Sequence, residues 1–136
     1  PSIQATIILD KQPVSLLTTH PLPPVSPLFK QQRDRQLNAV ADFVMQQEKP
    51  VIVVGDLNVT HWSPDYYSLV EKTGLINARQ GWGILPTWPG KLSAIGLPID
   101  HLLYSAPLQV KAIHTYPDIG SDHLPLVVEL GFTNNT

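Results

Sequence analysis

Cysteine is absent from the 136-residue chain, which excludes disulfide frameworks, thiolate zinc sites and thiol nucleophiles and leaves the redox compartment open. Charge is scarce as well. Only 15% of residues are Asp, Glu, Lys or Arg, and the formal net charge is -2. There is no global pull toward nucleic acid, so an anionic substrate has to be held by a local site or a metal. No apolar run approaches the roughly 18 to 20 residues of a membrane span, and the start carries no signal-peptide pattern. Internal repeats, low-complexity tracts and long linkers are missing too, so residues 1–136 read as one unit. Apolar residues are plentiful at 43%, enough for a real core. The chain opens without methionine, at Pro1-Ser2-Ile3, in what already reads as a strand. That suggests a processed or partial chain.

Ile3 to Leu9 and Val14 to Thr18 are short β-branched runs around Asp10-Lys11-Gln12-Pro13, the pattern of two strands joined by a tight turn. Pro21, Pro23, Pro24 and Pro27 impose an extended loop, because proline fixes φ and disfavours helix before it. Leu37, Val40, Ala41 and Val44 then fall at helical spacing within a helix over Leu28 to Gln47. Val51 to Val54 is an apolar run too short for a helix and reads as a buried strand. Ser63-Pro64 caps and opens a short helix that stops at Gly74. Residues Gly81 to Gly96 read as loop; Ile99 to Ser105, Gln109 to Tyr116 and Leu124 to Leu130 read as three closing strands. The order is β-β-α-β-α-loop-β-β-β, an α/β sandwich with helices on one face.

The polar residues sit at the ends of these strands. Thr19-His20 ends the second, Gly55-Asp56-Leu57-Asn58 follows the buried one, Asp100-His101 opens the next, and Ser121-Asp122-His123 precedes the last. Acids and imidazoles at four strand ends converge on one sheet edge if the strands pair, and rigid scaffolds commonly carry catalytic groups on such loops. Carboxylates, an asparagine and histidines without cysteine suit a hard cation, Mg²⁺ or Mn²⁺, with a histidine left over as general base.

In that order and spacing, Gly55-Asp56-Leu57-Asn58, Ile99-Asp100-His101 and Gly120-Ser121-Asp122-His123-Leu124-Pro125 resemble the signature of the endonuclease/exonuclease/phosphatase (deoxyribonuclease I-like) superfamily. Trp62-Ser63-Pro64, Pro86-Thr87-Trp88 and Pro98-Ile99-Asp100-His101 are similar to its bacterial branch. Members of that branch often carry membrane-spanning segments, which implies a membrane-anchored parent with this domain outside the cytoplasm. The resemblance implies a metal-dependent phosphoesterase, nuclease-like toward phosphodiesters. Within it, His123 is the base that activates water, Asp100 orients His123, and Asp122 is a metal ligand or lies close to the metal. Asp56 and Asn58 position the nucleophile and a phosphate oxygen, with Asp56 also serving a second metal site, and His20 contacts the scissile phosphate or assists the leaving group. The same resemblance expects an upstream asparagine and glutamate. Before His20 the sole carboxylate is Asp10, in a turn. The expected fold is therefore the C-terminal half of a four-layer αββα sandwich, weak in metal binding by itself and self-associating as a homodimer through the uncovered face.

Rival readings are a lipid or inositol phosphate as substrate, and a catalytically inactive fragment that binds a partner. Bland roles also compete residue by residue. Asp56 and Asn58 suit a turn, and Ser121 and Asp122 suit another. His101, beside Asp100 on a strand, points to the opposite face and reads as structural. His61 and His114 read as surface or loop residues. Trp82 and Trp88 either line a groove or pack under a loop. Lys30, Arg33 and Arg35 read as a solvated helix face, with a phosphate contact as the rival.

Overall fold

The computed structural model describes residues 1–133, less the side chains of residues 92–94. Strands β1 (Ser2–Leu9) and β2 (Gln12–Thr19) form an antiparallel hairpin. Its two turn residues, Asp10 and Lys11, both have positive φ, the backbone that suits the twist of a two-residue hairpin. Helix α1 (Pro27–Met45) starts where Ser26 Oγ accepts a hydrogen bond from the Phe29 amide, with Pro27 at the first turn. It crosses over so that β3 (Val51–Asp56) lies parallel to β2. Helix α2 (Pro64–Thr73) is capped by Ser63 and closed by Gly74 in the left-handed conformation. Two short pieces follow that hydrophobic periodicity does not announce. They are β4 (Ile76–Asn77) and a 3₁₀ turn over Gly90–Ile95 inside the expected loop. The chain closes with β5 (Asp100–Tyr104), β6 (Leu108–Thr115) and β7 (Leu126–Phe132).

Five strands form one sheet in the order β1-β2-β3-β5-β4, and β6 pairs with β7 in a second. Both helices cover the same face of the large sheet: Leu37, Val40 and Val44 of α1 and Leu69 of α2 share a core with Val53 and Leu103. The other face, with Val14, Ile52 and Tyr104, packs on Leu108 and Ile113 of β6. Fully burying each such Val or Leu contributes roughly 1.5–3 kcal/mol, so alternation along β3 and β5 fixes which side chains face which layer. Asp56 and Asp100 take the face toward the small sheet, and His101 takes the helix face.

Arg33 departs from the solvated role expected of it. It is 5% exposed and lies in the core-facing stripe of α1, because its guanidinium finds Asp34, Asp65 and the Asn58 carbonyl there. No helix among the described residues is long and apolar enough to cross a membrane.

Candidate active site

The sheet register builds the centre. Asp56 and Asp100 are directly opposed partners at the end of the antiparallel β3–β5 pair, so their side chains leave the same face together. His123 reaches them from the loop between β6 and β7, whose base is closed by the Tyr116 amide donating to the Pro125 carbonyl at 2.8 Å. His123 Nδ1 lies 2.7 Å from Asp100 Oδ2, and its Nε2 lies 3.8 Å from Asp56 Oδ2. With Nδ1–H donating to Asp100, the neutral ring keeps a free lone pair on Nε2. His20 follows β2, the parallel neighbour of β3, and its Nε2 lies 3.5 Å from the same Asp56 Oδ2.

That approach depends on Gly55. Its φ is +148°, and a Cβ there would stand 2.0 Å from the Thr19 carbonyl oxygen. Any side chain would push β2, and His20 with it, away from Asp56. Beyond Asp56 the chain turns sharply. The Asn58 amide donates to Asp56 Oδ1 at 2.8 Å, its side-chain nitrogen donates to the Pro21 carbonyl at 2.9 Å, and its φ is +50°. Asp56 and Asn58 thus do form a turn, the bland rival reading, and the turn also fixes the Asp56 carboxylate beside His20 and His123.

Electrostatics follow from this crowding. Partial burial raises the Asp56 pKa above the usual carboxylate value and the Asp100 charge adds to it, against the Asn58 amide, His123 and His20. For His123, burial works to lower the pKa, but the hydrogen bond and charge of Asp100, then Asp56 and Asp122, outweigh it and raise the value. His101 is buried on the opposite face, its Nε2 2.7 Å from the Val59 carbonyl, and burial pushes its pKa down to about 4.

Of the residues singled out from the sequence, Asp56, Asp100, His123 and His20 come together. Asn58 adjoins them through its backbone. Asp122 is exposed and lies on the wall of the same cleft, outside the group whose ligand atoms lie within 4.8 Å of one another: Asp56, Asp100 and His123. Asp100 and His123 hold each other, so Asp56 and the Asp122 carboxylate on the cleft wall are the oxygen donors that suit a hard divalent cation. Its charge would favour the ionised Asp56 that burial disfavours. As expected of surface or loop residues, His114 is exposed and His61 lies in the turn before α2, half-buried, with a buried Nδ1 that no described residue bonds.

The buried roles of two arginines, Arg33, read as solvated, and Arg79, were not anticipated from the sequence. Arg33 Nη1 donates to the Asn58 carbonyl at 3.1 Å. Arg79, 4% exposed, donates through Nη1 to the Asp100 carbonyl at 2.7 Å. For Arg33 a signal existed, since it stands four residues before Leu37 on the core stripe. For Arg79, which follows a two-residue strand, no local pattern marks burial.

Solved structures of similar fold include an endonuclease/exonuclease/phosphatase family protein from Bacteroides thetaiotaomicron, 22% identical with a TM-score of 0.73 over 92% of this chain and 52% of that one. The human Nocturnin catalytic domain with bound sulfate is 20% identical, with a TM-score of 0.73 over 97% and 53%. A mannosyl-6-phosphatase of Bacteroides thetaiotaomicron VPI-5482 is 21% identical, with a TM-score of 0.61 over 89% and 51%. The chain thus spans about half the length of the first solved structures it resembles. No curated protein sequence matches it. The sequence profile of the Endonuclease/Exonuclease/phosphatase family matches residues 3–123, so the chain, with its mixed α/β deoxyribonuclease I-like fold, belongs to that family.

Proposed function

We propose that this chain carries the catalytic edge of a divalent-metal-dependent phosphoesterase that hydrolyses a phosphodiester by in-line attack of water. The observation that supports this most is the 2.7 Å contact between His123 Nδ1 and Asp100 Oδ2, which leaves Nε2 facing the cleft beside Asp56. Members of the family are hydrolases of phosphoesters. In this reading His123 Nε2 takes the proton from water as the water oxygen bonds to phosphorus, and Asp100 stabilises the resulting imidazolium. The opposite P–O ester bond breaks, and the departing alkoxide takes up a proton from solvent. Asp56, fixed by the Asn58 amide, orients the attacking water, and His20 donates to a phosphate oxygen. The Asn58 side-chain nitrogen gives one hydrogen to the Pro21 carbonyl, and its second hydrogen would donate to a phosphate oxygen. Asp56 and, from the cleft wall, Asp122 would hold Mg²⁺ or Mn²⁺, which would neutralise phosphate charge when bound.

The test is turnover of bis(p-nitrophenyl) phosphate by the full-length protein with Mg²⁺ or Mn²⁺. His123→Ala should lower kcat by about 10²- to 10⁴-fold while leaving the folded state intact. Near-parental turnover by that variant would reduce His123 to a structural histidine. A lipid or inositol phosphate remains the alternative substrate of the same machinery.

A further inference from the structure

The cleft beside His123 has one wall built with unusual firmness. Thr87 is fully buried, and its carbonyl accepts the Leu124 amide at 2.8 Å, one residue beyond His123. The Gly90 amide donates to the Asp122 carbonyl at 2.8 Å, so the same loop is tied to both neighbours of His123. Between these ties, Trp88 and Leu97 exchange backbone hydrogen bonds as an isolated antiparallel pair. Opposed residues in such a pair project to the same side. Trp88 and Leu97 are 38% and 37% exposed, and both line a cleft of about 820 Å³ that also contains Asp56 and His123. Pro23, Pro24 and Val25 line the same cleft, and Val25 is 76% exposed.

The charges point the same way. Among the described residues lining this cleft, the one permanently cationic side chain is Arg33. It is 5% exposed and already engaged by Asp34, Asp65 and the Asn58 carbonyl. Proteins that track a polynucleotide backbone use a groove of lysines and arginines, since the phosphates dominate affinity. Here Asp56 and His123 are flanked by the apolar surface of Trp88, Leu97, Pro23, Pro24 and Val25.

We infer that the Trp88–Leu97 pair is a stacking platform for a flat or branched apolar group esterified to the scissile phosphate, so that the preferred substrate is a small diester with one apolar substituent. This rests on the phosphoesterase reading above. The cleft volume lies within the range of small-molecule sites, enough for one phosphate and a ring. Trp88 and Leu97 are then specificity-determining residues, held in register with His123 by Thr87.

The experiment compares methyl p-nitrophenyl phosphate, phenyl p-nitrophenyl phosphate and the p-nitrophenyl ester of thymidine 5′-phosphate. The leaving group is constant, and each kcat/KM is divided by the uncatalysed rate. The full-length protein with Mn²⁺ should favour the phenyl over the methyl ester by at least about tenfold, the scale on which apolar pockets discriminate. Trp88→Ala should collapse that ratio to within about threefold, and Trp88→Phe should restore most of it. A ratio near one in the parent, an unchanged ratio in Trp88→Ala, or preference for the thymidine ester would each overturn the inference. If the parent hydrolyses none of the three, the phosphoesterase reading falls instead. The platform is then judged by calorimetric binding of phenylphosphonate against methylphosphonate. Tighter phenylphosphonate binding that Trp88→Ala abolishes would keep it, and equal binding would end it.

Discussion

Asp100 and His101 are adjacent in sequence but serve opposite faces of one strand, and the difference decides what each histidine of the site can do. His123 meets Asp100 at the exposed edge, whereas His101 turns into the helix layer, where Tyr66 lies with its ring centroid 5.1 Å away. With a folded-state pKa near 4 against an ordinary 6.5, the unfolded chain protonates His101 first. Stability from the neutral ring is therefore complete above about pH 6.5 and is lost as pH falls toward 4, at up to about 1.4 kcal/mol per pH unit. His123 has the opposite sign. Its pKa is raised, so its contribution is present below 6.5 and lost as pH rises through the folded value. The two windows do not overlap. Urea midpoints measured from pH 4 to 7 should fall steeply toward acid, and His101→Gln should flatten that limb. An identical acid slope in the variant would show that His101 titrates normally. Strand alternation alone made the structural role of His101 readable from sequence, and the Asp100–His123 pair was readable from its motif. The burial of Asp56 was not, because it depends on which loops close over the strand end.

At the level of elements, the GDLN turn is held from behind by α1 and α2. Arg33 joins the Asn58 carbonyl to Asp65 at the start of α2, while Asp34 engages the same guanidinium at 2.7 Å. Arg33→Met would keep the apolar stem but leave the Asn58 carbonyl without its arginine donor and Asp65 with only the longer 3.4 Å contact from Lys30. Both carboxylates are close to a third exposed, so solvent screening tempers the loss. A destabilisation of about 1–3 kcal/mol is expected. Arg33→Lys should rescue little of it, because an ammonium cannot match the planar fork that serves a carbonyl and two carboxylates. Chemical denaturation checks this, and full rescue by lysine would reduce the contact to simple charge. Helices, the hairpin turn and the capping serines were legible because each rests on local chemistry: proline, positive φ, hydroxyl caps, apolar spacing. Periodicity marks apolar residues, so it passed over an arginine on the core stripe. It likewise missed the Trp88–Leu97 bridge, which needs loop ends brought together by the rest of the fold.

Across the whole molecule, the site exists only when distant segments meet: His20 after β2, Asp56 after the crossover helix, Asp100 on the antiparallel neighbour, His123 from the second sheet. A cation held there binds the folded chain and hardly the unfolded one, so its affinity is readable as stability. Asp100 and His123 are engaged with each other at 2.7 Å, which leaves Asp56 and the exposed Asp122 as this chain's remaining acidic donors in the cleft. Two carboxylates supply few of the roughly six oxygens that Mg²⁺ requires, and water must supply the rest. Affinity should therefore be weak, with Kd on the order of millimolar, as at other carboxylate-poor sites. At 10 mM Mg²⁺ such a site adds about 1.4 kcal/mol, and at 0.1 mM less than about 0.1 kcal/mol. For a domain of this size the first corresponds to a rise in Tm of about 3–6 °C and the second to no measurable change. Thermal unfolding of the 136-residue chain across that range should show this dependence, and Asp56→Asn should remove it. A saturating shift already at micromolar Mg²⁺ would mean that the chain assembles a far richer ligand set than Asp56 and Asp122 provide.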